Sequence, residues 1–451
     1  MSKTLVVSDN EFINILYVMN LEVYLATNTK LVSSYNSAIY ALQMDDTFDL
    51  IVTLESIGNE KVGKNLKDFI KLKNLAVPLI VAGNSQYSIE SEAVHFINGK
   101  FNIQNILKRS AKILGITAKQ MAELDIGAYY PVPLNPNLGL TTAPCHIYQK
   151  SGSNFKLLVR QTDEIGETLT LIKENGVDHI YVSSADRLTM INKISLTLIE
   201  KITLSLKNLE GASIDKKVQV LSDGYEFAAA NLFSNDEIKQ QMQEIATASA
   251  KIMQDVSKES TTLKTLLATM LNNKDGYVFT HSMITSYVCY HMIKNVTWGG
   301  EGQTDKINFV IFFHDIFLAP IYLKYPELTA EALLLDNDKL TDKEKDIVLN
   351  HAKLAAELVV GYKRCPMGAD TLIKQHHGMK KGKGFVKFYM EDLSPLSKVV
   401  LIAEMYVEEF LKSSEDPANP FNPKIVIPKL INEFKTPSYT KIVQTLVNVP
   451  L

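Results

Sequence analysis

The stretch NFVIFFHDIFLAP, residues 308–320, places a His–Asp pair inside a run of large apolar side chains. An unpaired imidazole or carboxylate is costly to bury, so a bare pair in a core helix would be heavily penalised. Coordination of a divalent metal removes that penalty, because a neutral imidazole is a metal donor and a carboxylate can bridge two metals. The stretch therefore predicts a helical core that holds metal.

The histidines of the last part of the chain recur at helix-sized intervals. His281, His314, His351 and His376 are separated by 33, 37 and 25 residues. Each interval fits one helix, a loop and the next helix. Each ligand group is therefore expected on a different helix of a bundle, projecting into one interior. Imidazole with carboxylate suits iron, manganese or zinc, so the spacing alone does not select the metal.

A lone His–Asp pair is weak evidence for any family, but this pair comes with an earlier histidine, a later histidine and an HH pair. Over residues 269–451 the pattern resembles the HD-GYP family of metal-dependent phosphohydrolases. That family hydrolyses cyclic di-GMP, a bacterial second messenger, at a cluster of two or three metals. The resemblance implies metal ligands at His281, His314, Asp315, His351, His376, His377 and Glu404.

The resemblance also implies a division of roles among these residues. His281 and His314 match the ligands of one metal, and Asp315 matches the bridging carboxylate, which is the expected catalytic residue. His351 and the HH pair match the ligands of the second metal. Glu404, in KVVLIAEMYV, stands at the family's late aspartate.

Two transition metal ions are the expected cofactors. Tyr277 occupies a position that supplies a further carboxylate in three-metal members of the family, which favours a two-metal site here. The resemblance implies iron or manganese first, with zinc, nickel or magnesium as alternatives.

The sequence departs from the family at positions that the resemblance implies would bind substrate. The family's HDxGK is HDIFL, so Leu318 replaces the lysine that would meet phosphate. Gly378 replaces the glutamate of HHE, and Gly384–Phe385–Val386 replaces Gly-Tyr-Pro. The pair of acids usual near the family's end is Glu404 and Val407. These changes predict reduced activity.

Residues 1–118 alternate strand-like and helix-like stretches. TLVVS, FDLIVTL and VPLIVAG are short apolar runs typical of buried parallel strands, which predicts a doubly wound α/β layer. Their order resembles a response-regulator receiver domain, with Ser8 and Asp9 at its acidic pair. Leu54 stands at the phosphoacceptor position and has no nucleophilic oxygen. The resemblance implies a receiver-like module that binds protein partners without being phosphorylated.

Two further segments complete the predicted organisation. Residues 125–185 predict a small α+β module, which resembles the one often found ahead of HD-GYP domains. Residues 186–268 are helical in period and predict a linker, with a dimer seam or plain bundle packing as alternatives. The predicted fold is multidomain: a doubly wound α/β domain, an α+β module, a helical linker and an all-α bundle over 269–451.

Composition narrows the class of protein. The net charge is −3 over 451 residues, so no basic field indicates a DNA partner. No fully apolar run of about 18 residues indicates a transmembrane helix, and the start lacks the pattern of a signal peptide. The three cysteines are scattered, as in reduced cytoplasmic proteins. These features predict a cytoplasmic protein.

Two functions remain open. The first is a bacterial signalling enzyme, a metal-dependent phosphodiesterase of reduced activity that takes cyclic di-GMP as substrate. The second is a catalytically inactive scaffold that binds metal or nucleotide and acts through protein partners. The retained ligand set favours the enzyme, whereas Leu54, Leu318, Gly378 and Val386 favour the scaffold. A homodimer is compatible with either function.

Overall fold

The computed structural model describes residues 2–84, 93–117, 128–134, 140–177, 179–232, 236–273, 276–335, 337–386, 393–416 and 418–451. The chain forms two compact units, Met1–Lys201 and Ile202–Leu451. The first unit contains an N-terminal parallel α/β sheet, and the second is a large helical region. The four-part division of the chain is finer than these two units and stays a prediction.

Five parallel strands form the first sheet, in the order β2-β1-β3-β4-β5. They are β1 (Lys3–Val7), β2 (Asn28–Val32), β3 (Leu50–Leu54), β4 (Leu79–Gly83) and β5 (Val94–Asn98). The helices are α1 (Glu11–Leu25), α2 (Tyr35–Met44), α3 (Val62–Leu72) and α4 (Ile103–Ile113). Contacts join α1 to α4 and α2 to α3. The strand order is that of flavodoxin-like doubly wound folds, and membership of the receiver family stays a prediction.

Helix α1 carries buried apolar side chains on opposite faces because it is covered on two sides. Ile15, Met19 and Val23 belong to a core shared with a second, antiparallel sheet. Tyr17 and Leu21, which lie on the opposite face of the helix, are also fully buried. A helix with buried apolar side chains on opposite faces is expected where both sides are covered.

The second sheet of the first unit has the order β6-β9-β7-β8, and its neighbouring strands are antiparallel. Its strands are β6 (Tyr129–Pro133), β7 (Ile147–Ser151), β8 (Asn154–Val159) and β9 (His179–Ser183). Helix α5 (Gly166–Glu174) precedes β9, and a 3-10 turn (Ser184–Asp186) leads into α6 (Arg187–Lys207). This segment contains both sheet and helix, and the small α+β module over residues 125–185 stays a prediction.

The second unit is built from helices. They are α7 (Ile214–Ala230), α8 (Asp236–Glu259), α9 (Leu263–Asn273), α10 (Tyr277–Lys294), α11 (Glu301–Phe313), α12 (Ala319–Lys324), α13 (Glu331–Leu335), α14 (Asp342–Val360), α15 (Ala369–Gln375), α16 (Pro395–Glu415), α17 (Pro423–Glu433) and α18 (Pro437–Val443). Short 3-10 turns cover Ile316–Leu318 and Gln444–Asn448. Helix α8, from the segment predicted as a linker, packs against α10 and α11.

The apolar stretch around the His–Asp pair is the interior of this unit. All residues from Phe309 to Phe313 are buried, and α11 ends where the pair begins. Among the described helices, Glu301–Lys324 is long and apolar enough to cross a membrane by length and composition alone. The most apolar 18 residues of this stretch are 78% buried inside the fold, so packing in the core also explains its apolar composition.

Candidate metal centre

All seven side chains predicted as metal ligands meet in the interior of the second unit. His281 lies within α10, His351 within α14 and Glu404 within α16. The His314–Asp315 pair follows the end of α11, and the HH pair follows the end of α15. Each group comes from a different helix, as the spacing predicts. Whether these side chains bind metal stays a prediction.

Three of the histidines are held by the same local hydrogen bond. The Nδ1 atoms of His314, His351 and His376 lie 2.8, 2.6 and 2.6 Å from the carbonyl oxygens three residues earlier, those of Ile311, Val348 and Ile373. A carbonyl only accepts, so Nδ1 must carry the proton. The Nε2 atom of each ring is therefore unprotonated when the ring is neutral, which is the form that binds metal.

In one half of the centre, the Nε2 atoms of His351, His376 and His377 converge. His351 Nε2 lies 3.2 Å from His376 Nε2 and 3.1 Å from His377 Nε2. The Oδ1 atom of Asp315 is 3.4 Å from both His351 Nε2 and His376 Nε2. Glu331 completes this group, with Oε2 3.0 Å from His377 Nε2. Lone pairs facing each other at these distances repel unless a cation lies between them.

The other half faces the second oxygen of Asp315. Asp315 Oδ2 lies 3.2 Å from His314 Nε2 and 3.7 Å from His281 Nε2. The Glu404 carboxylate spans the same two rings, with Oε1 3.2 Å from His314 Nε2 and Oε2 2.5 Å from His281 Nε2. Asp315 thus presents one oxygen to each group of ligands.

The donor spacing fits divalent metals. Ligand atoms about 2.1 Å from one ion lie roughly 3.0 Å apart in an octahedral site and roughly 3.4 Å apart in a tetrahedral one. The separations of 3.0–3.4 Å around His351, His376 and His377 fall in this range. Several buried atoms here have no hydrogen-bond partner in the described structure: His314 Nε2, Asp315 Oδ1, Glu331 Oε1 and Glu404 Oε1.

Two sets of described residues are arranged to hold a metal ion, and they share Asp315. One set is Asp315, Glu331, His351, His376 and His377, and the other is His281, His314 and Asp315. Glu404 adds a carboxylate to the second set through its contacts with both rings. The buried cluster therefore fits two metal ions, and the identity of the metal stays open.

The electrostatics of the two halves differ. Burial and then the neighbouring imidazoles lower the pKa of His377 well below its usual range, so this ring is neutral at pH 7. Burial and the charge of Asp315 raise the pKa of Glu331. In the other half burial opposes ionisation of Glu404, but His281 and His314 outweigh it and lower its pKa to about 2. The imidazoles of the second half therefore favour the ionised form of Glu404, whereas in the first half the ionised form of Glu331 is disfavoured.

Two acids at the centre are not among the residues predicted from sequence. Glu331 begins the short helix α13, and no spacing signal separates it from nearby acids such as Glu327. Glu408 lies one residue past Val407, where the family usually has its second acid. Burial raises the pKa of Glu408, and so do Glu404 and Asp315, although His281 acts in the opposite direction. The proximity of both acids to the histidines depends on how the helices pack, so it could not be predicted from the sequence.

The positions that depart from the HD-GYP pattern differ in burial, backbone conformation and contacts. Leu318 is completely buried within the 3-10 turn, so its side chain is packed away from solvent. Gly378 has a φ of 80°, a left-handed conformation that disfavours glutamate at this position. The Phe385 ring lies 4.3 Å from the His377 ring, between centroids. The loop is anchored by the Gly384 N–H, which donates to the Leu349 carbonyl at 2.7 Å.

No protein-family model matches the chain, and no curated protein matches it. Among solved structures, Bd1817, an HDG"Y"P protein from Bdellovibrio bacteriovorus, is similar over 70% of this chain and 98% of its own length. The sequences are 15% identical, and the TM-score is 0.35. Similarity at that level carries no argument, so the site is interpreted from its own geometry.

Proposed function

We propose that the chain is a metal-dependent phosphohydrolase that cleaves phosphodiesters, with a cyclic dinucleotide, cyclic di-GMP first, as its substrate. The observation that carries this proposal is the position of Asp315, whose two oxygens face two separate groups of imidazoles. A shared carboxylate between two ligand sets is the arrangement of two-metal phosphoesterases. The substrate class is taken from the sequence resemblance.

The chain's own groups would bind and orient the reactants. Two divalent metals, when bound, supply a water nucleophile at neutral pH and neutralise phosphate oxygens. Asp315, Glu331 and Glu404, the carboxylates that contact the imidazoles, would contribute −3 against +4 from two divalent metals, which leaves this ligand set with a charge of +1 toward an anionic phosphate. Three of the imidazoles, those of His314, His351 and His376, are held in their ligand tautomers by backbone carbonyls.

The test is metal analysis combined with a phosphodiesterase assay. Protein produced with added iron or manganese should contain about two metals per chain and should slowly hydrolyse cyclic di-GMP or bis-p-nitrophenyl phosphate. Asp315→Asn should abolish hydrolysis. Glu357→Gln, which changes an exposed carboxylate on α14, should not. A fully metal-loaded protein without turnover of any phosphodiester would contradict the proposal.

A second candidate is a non-catalytic scaffold that binds metal or nucleotide and acts through protein partners. The observation in its favour is Leu318, which stands at the family's phosphate-binding lysine and is completely buried. Binding of cyclic di-GMP to metal-loaded protein without any cleavage would select this alternative. Either function fits a cytoplasmic signalling protein, with residues 1–118 available to protein partners.

A further inference from the structure

Two tyrosines beside the metal centre have no role in the ligand set. The Tyr322 ring lies 4.9 Å from the Tyr277 ring, and the Tyr277 ring lies 5.9 Å from the ring of His281, between centroids. Tyr322 is 5% exposed. Its hydroxyl is buried and has no hydrogen-bond partner among the described residues. A buried hydroxyl without a partner loses the hydrogen bonds of water without replacement.

The tyrosine pair adjoins the centre through the ring of His281, and the carboxylates of the centre act on both hydroxyls. Burial raises the pKa of Tyr322 well above its usual range, and the charges of Glu331, Asp315 and Glu408 raise it further. The same three carboxylates act on Tyr277 after burial. A tyrosine hydroxyl carries its proton at neutral pH without any such shift, so both side chains are hydrogen-bond donors. A donor beside a metal centre that is expected to bind an anion is placed to contact that anion.

We propose that the hydroxyls of Tyr322 and Tyr277 donate hydrogen bonds to the oxygen atoms of a phosphate group bound at the metal centre. This inference rests on the proposed function, and it assigns to the pair the phosphate contact that the buried Leu318 cannot make. Tyrosine donates without adding charge, so its contribution differs from that of a lysine. A bound phosphate would also satisfy the Tyr322 hydroxyl.

Tyr406 offers a matched control within the same unit. It is fully buried, and its hydroxyl also has no hydrogen-bond partner among the described residues. Its ring packs against Phe421, and burial alone raises its pKa. Removing the Tyr406 hydroxyl therefore reproduces the loss of a buried polar atom without touching the carboxylate cluster.

The experiment measures binding of inorganic phosphate to the metal-loaded full chain by calorimetry. Tyr322→Phe and Tyr277→Phe, singly and together, keep the rings and should retain the metal content. A hydrogen bond to a charged group contributes about 1.5–3 kcal/mol, so each variant should weaken phosphate binding by about 10- to 100-fold. Tyr406→Phe should bind phosphate as the parent does. The melting temperature of Tyr322→Phe should equal or exceed that of the parent, because an unsatisfied hydroxyl has been removed.

The outcomes separate this inference from the proposed function. Phosphate affinity that is unchanged in the double variant, or equally reduced in Tyr406→Phe, overturns the inference. Failure of the metal-loaded parent to bind phosphate overturns it as well. Tyrosine-dependent phosphate binding without hydrolysis of any phosphodiester supports the inference and contradicts the phosphohydrolase proposal.

Discussion

The carboxyl edge of the parallel sheet and the centre of the helical unit both place polar residues next to buried apolar elements, and they use them differently. At the sheet edge Asp9 is exposed, and Leu54, at the end of β3, is 7% exposed. The Glu55 side chain lies over Gly83 so closely that it would have to move to make room for a Cβ at that position. In the helical unit, by contrast, carboxylates and imidazoles converge around Asp315.

The comparison shows that a strand order typical of doubly wound domains does not by itself provide a group of metal ligands. The sheet has the strand order of a doubly wound domain, but its described carboxylates form no group arranged for metal binding. The helical unit brings eight ionisable side chains into contact with one another, seven of them buried and His377 partly buried, with several atoms unsatisfied. Such burial is costly without a cation. The helical unit is therefore where metal binding is expected to contribute to stability.

The largest effect is expected from Asp315→Ala, because this carboxylate serves both halves of the centre. Loss of both metals and of one partner in a buried charged network should lower the free energy of unfolding by about 3–5 kcal/mol. Elemental analysis and thermal unfolding measure the two effects. Glu357→Gln on the surface of α14 is the control. If the parent protein contained no metal and the Asp315→Ala variant had the same melting temperature, the helical unit would not differ from the sheet edge in metal binding.

A smaller effect is expected from Glu331→Gln, which alters only one half of the centre. The amide keeps the shape of the side chain but loses the charge next to His377 and His351. Metal content should fall from about two to about one per chain. Glu327→Gln, on an exposed acid of the same segment, should leave it unchanged. Loss of both metals in Glu331→Gln would show that the halves fill cooperatively.

Metal affinity should rise with pH, and Glu331 is expected to contribute to this rise. Burial, followed by the charge of Asp315, raises the pKa of Glu331 in the metal-free protein. Below that raised pKa the carboxyl holds a proton that the metal must displace, and above it no displacement is needed. Calorimetry in buffers of different ionisation enthalpy should therefore detect proton release, and Glu331→Gln should release less. Equal release from both proteins would exclude Glu331 as a source.

The smallest effect, an absence of reaction, is expected at the sheet edge. Acetyl phosphate should not label residues 1–118, because Leu54 has no nucleophilic oxygen and Ser8, at the acidic pair, is buried. Mass spectrometry of the treated protein measures this. Acid-sensitive phosphate on this segment would show that another side chain, such as Asp9, serves as acceptor.

Much of the candidate site could be predicted from sequence because its ligands are rare residue types at helix-sized intervals. Histidine within an apolar run is conspicuous, and each interval in the pattern corresponds to a change of helix. Glu331 and Glu408 do not stand out in the sequence in this way, since acidic residues are common on exposed helix faces. Tyr322 was also missed, because it lies in α12 and nothing in the sequence relates it to Tyr277 in α10.

The sequence by itself determined which side chains could be ligands, the alternation of strands and helices near the N-terminus and the helical character of the C-terminal unit. These are local properties of residue type and periodicity. Only the tertiary structure decided which acids reach the histidines, which oxygen of Asp315 faces which ring and that Leu318 is buried. The physical reason is that these properties depend on the packing of helices distant in sequence, which brings polar atoms together where water is excluded.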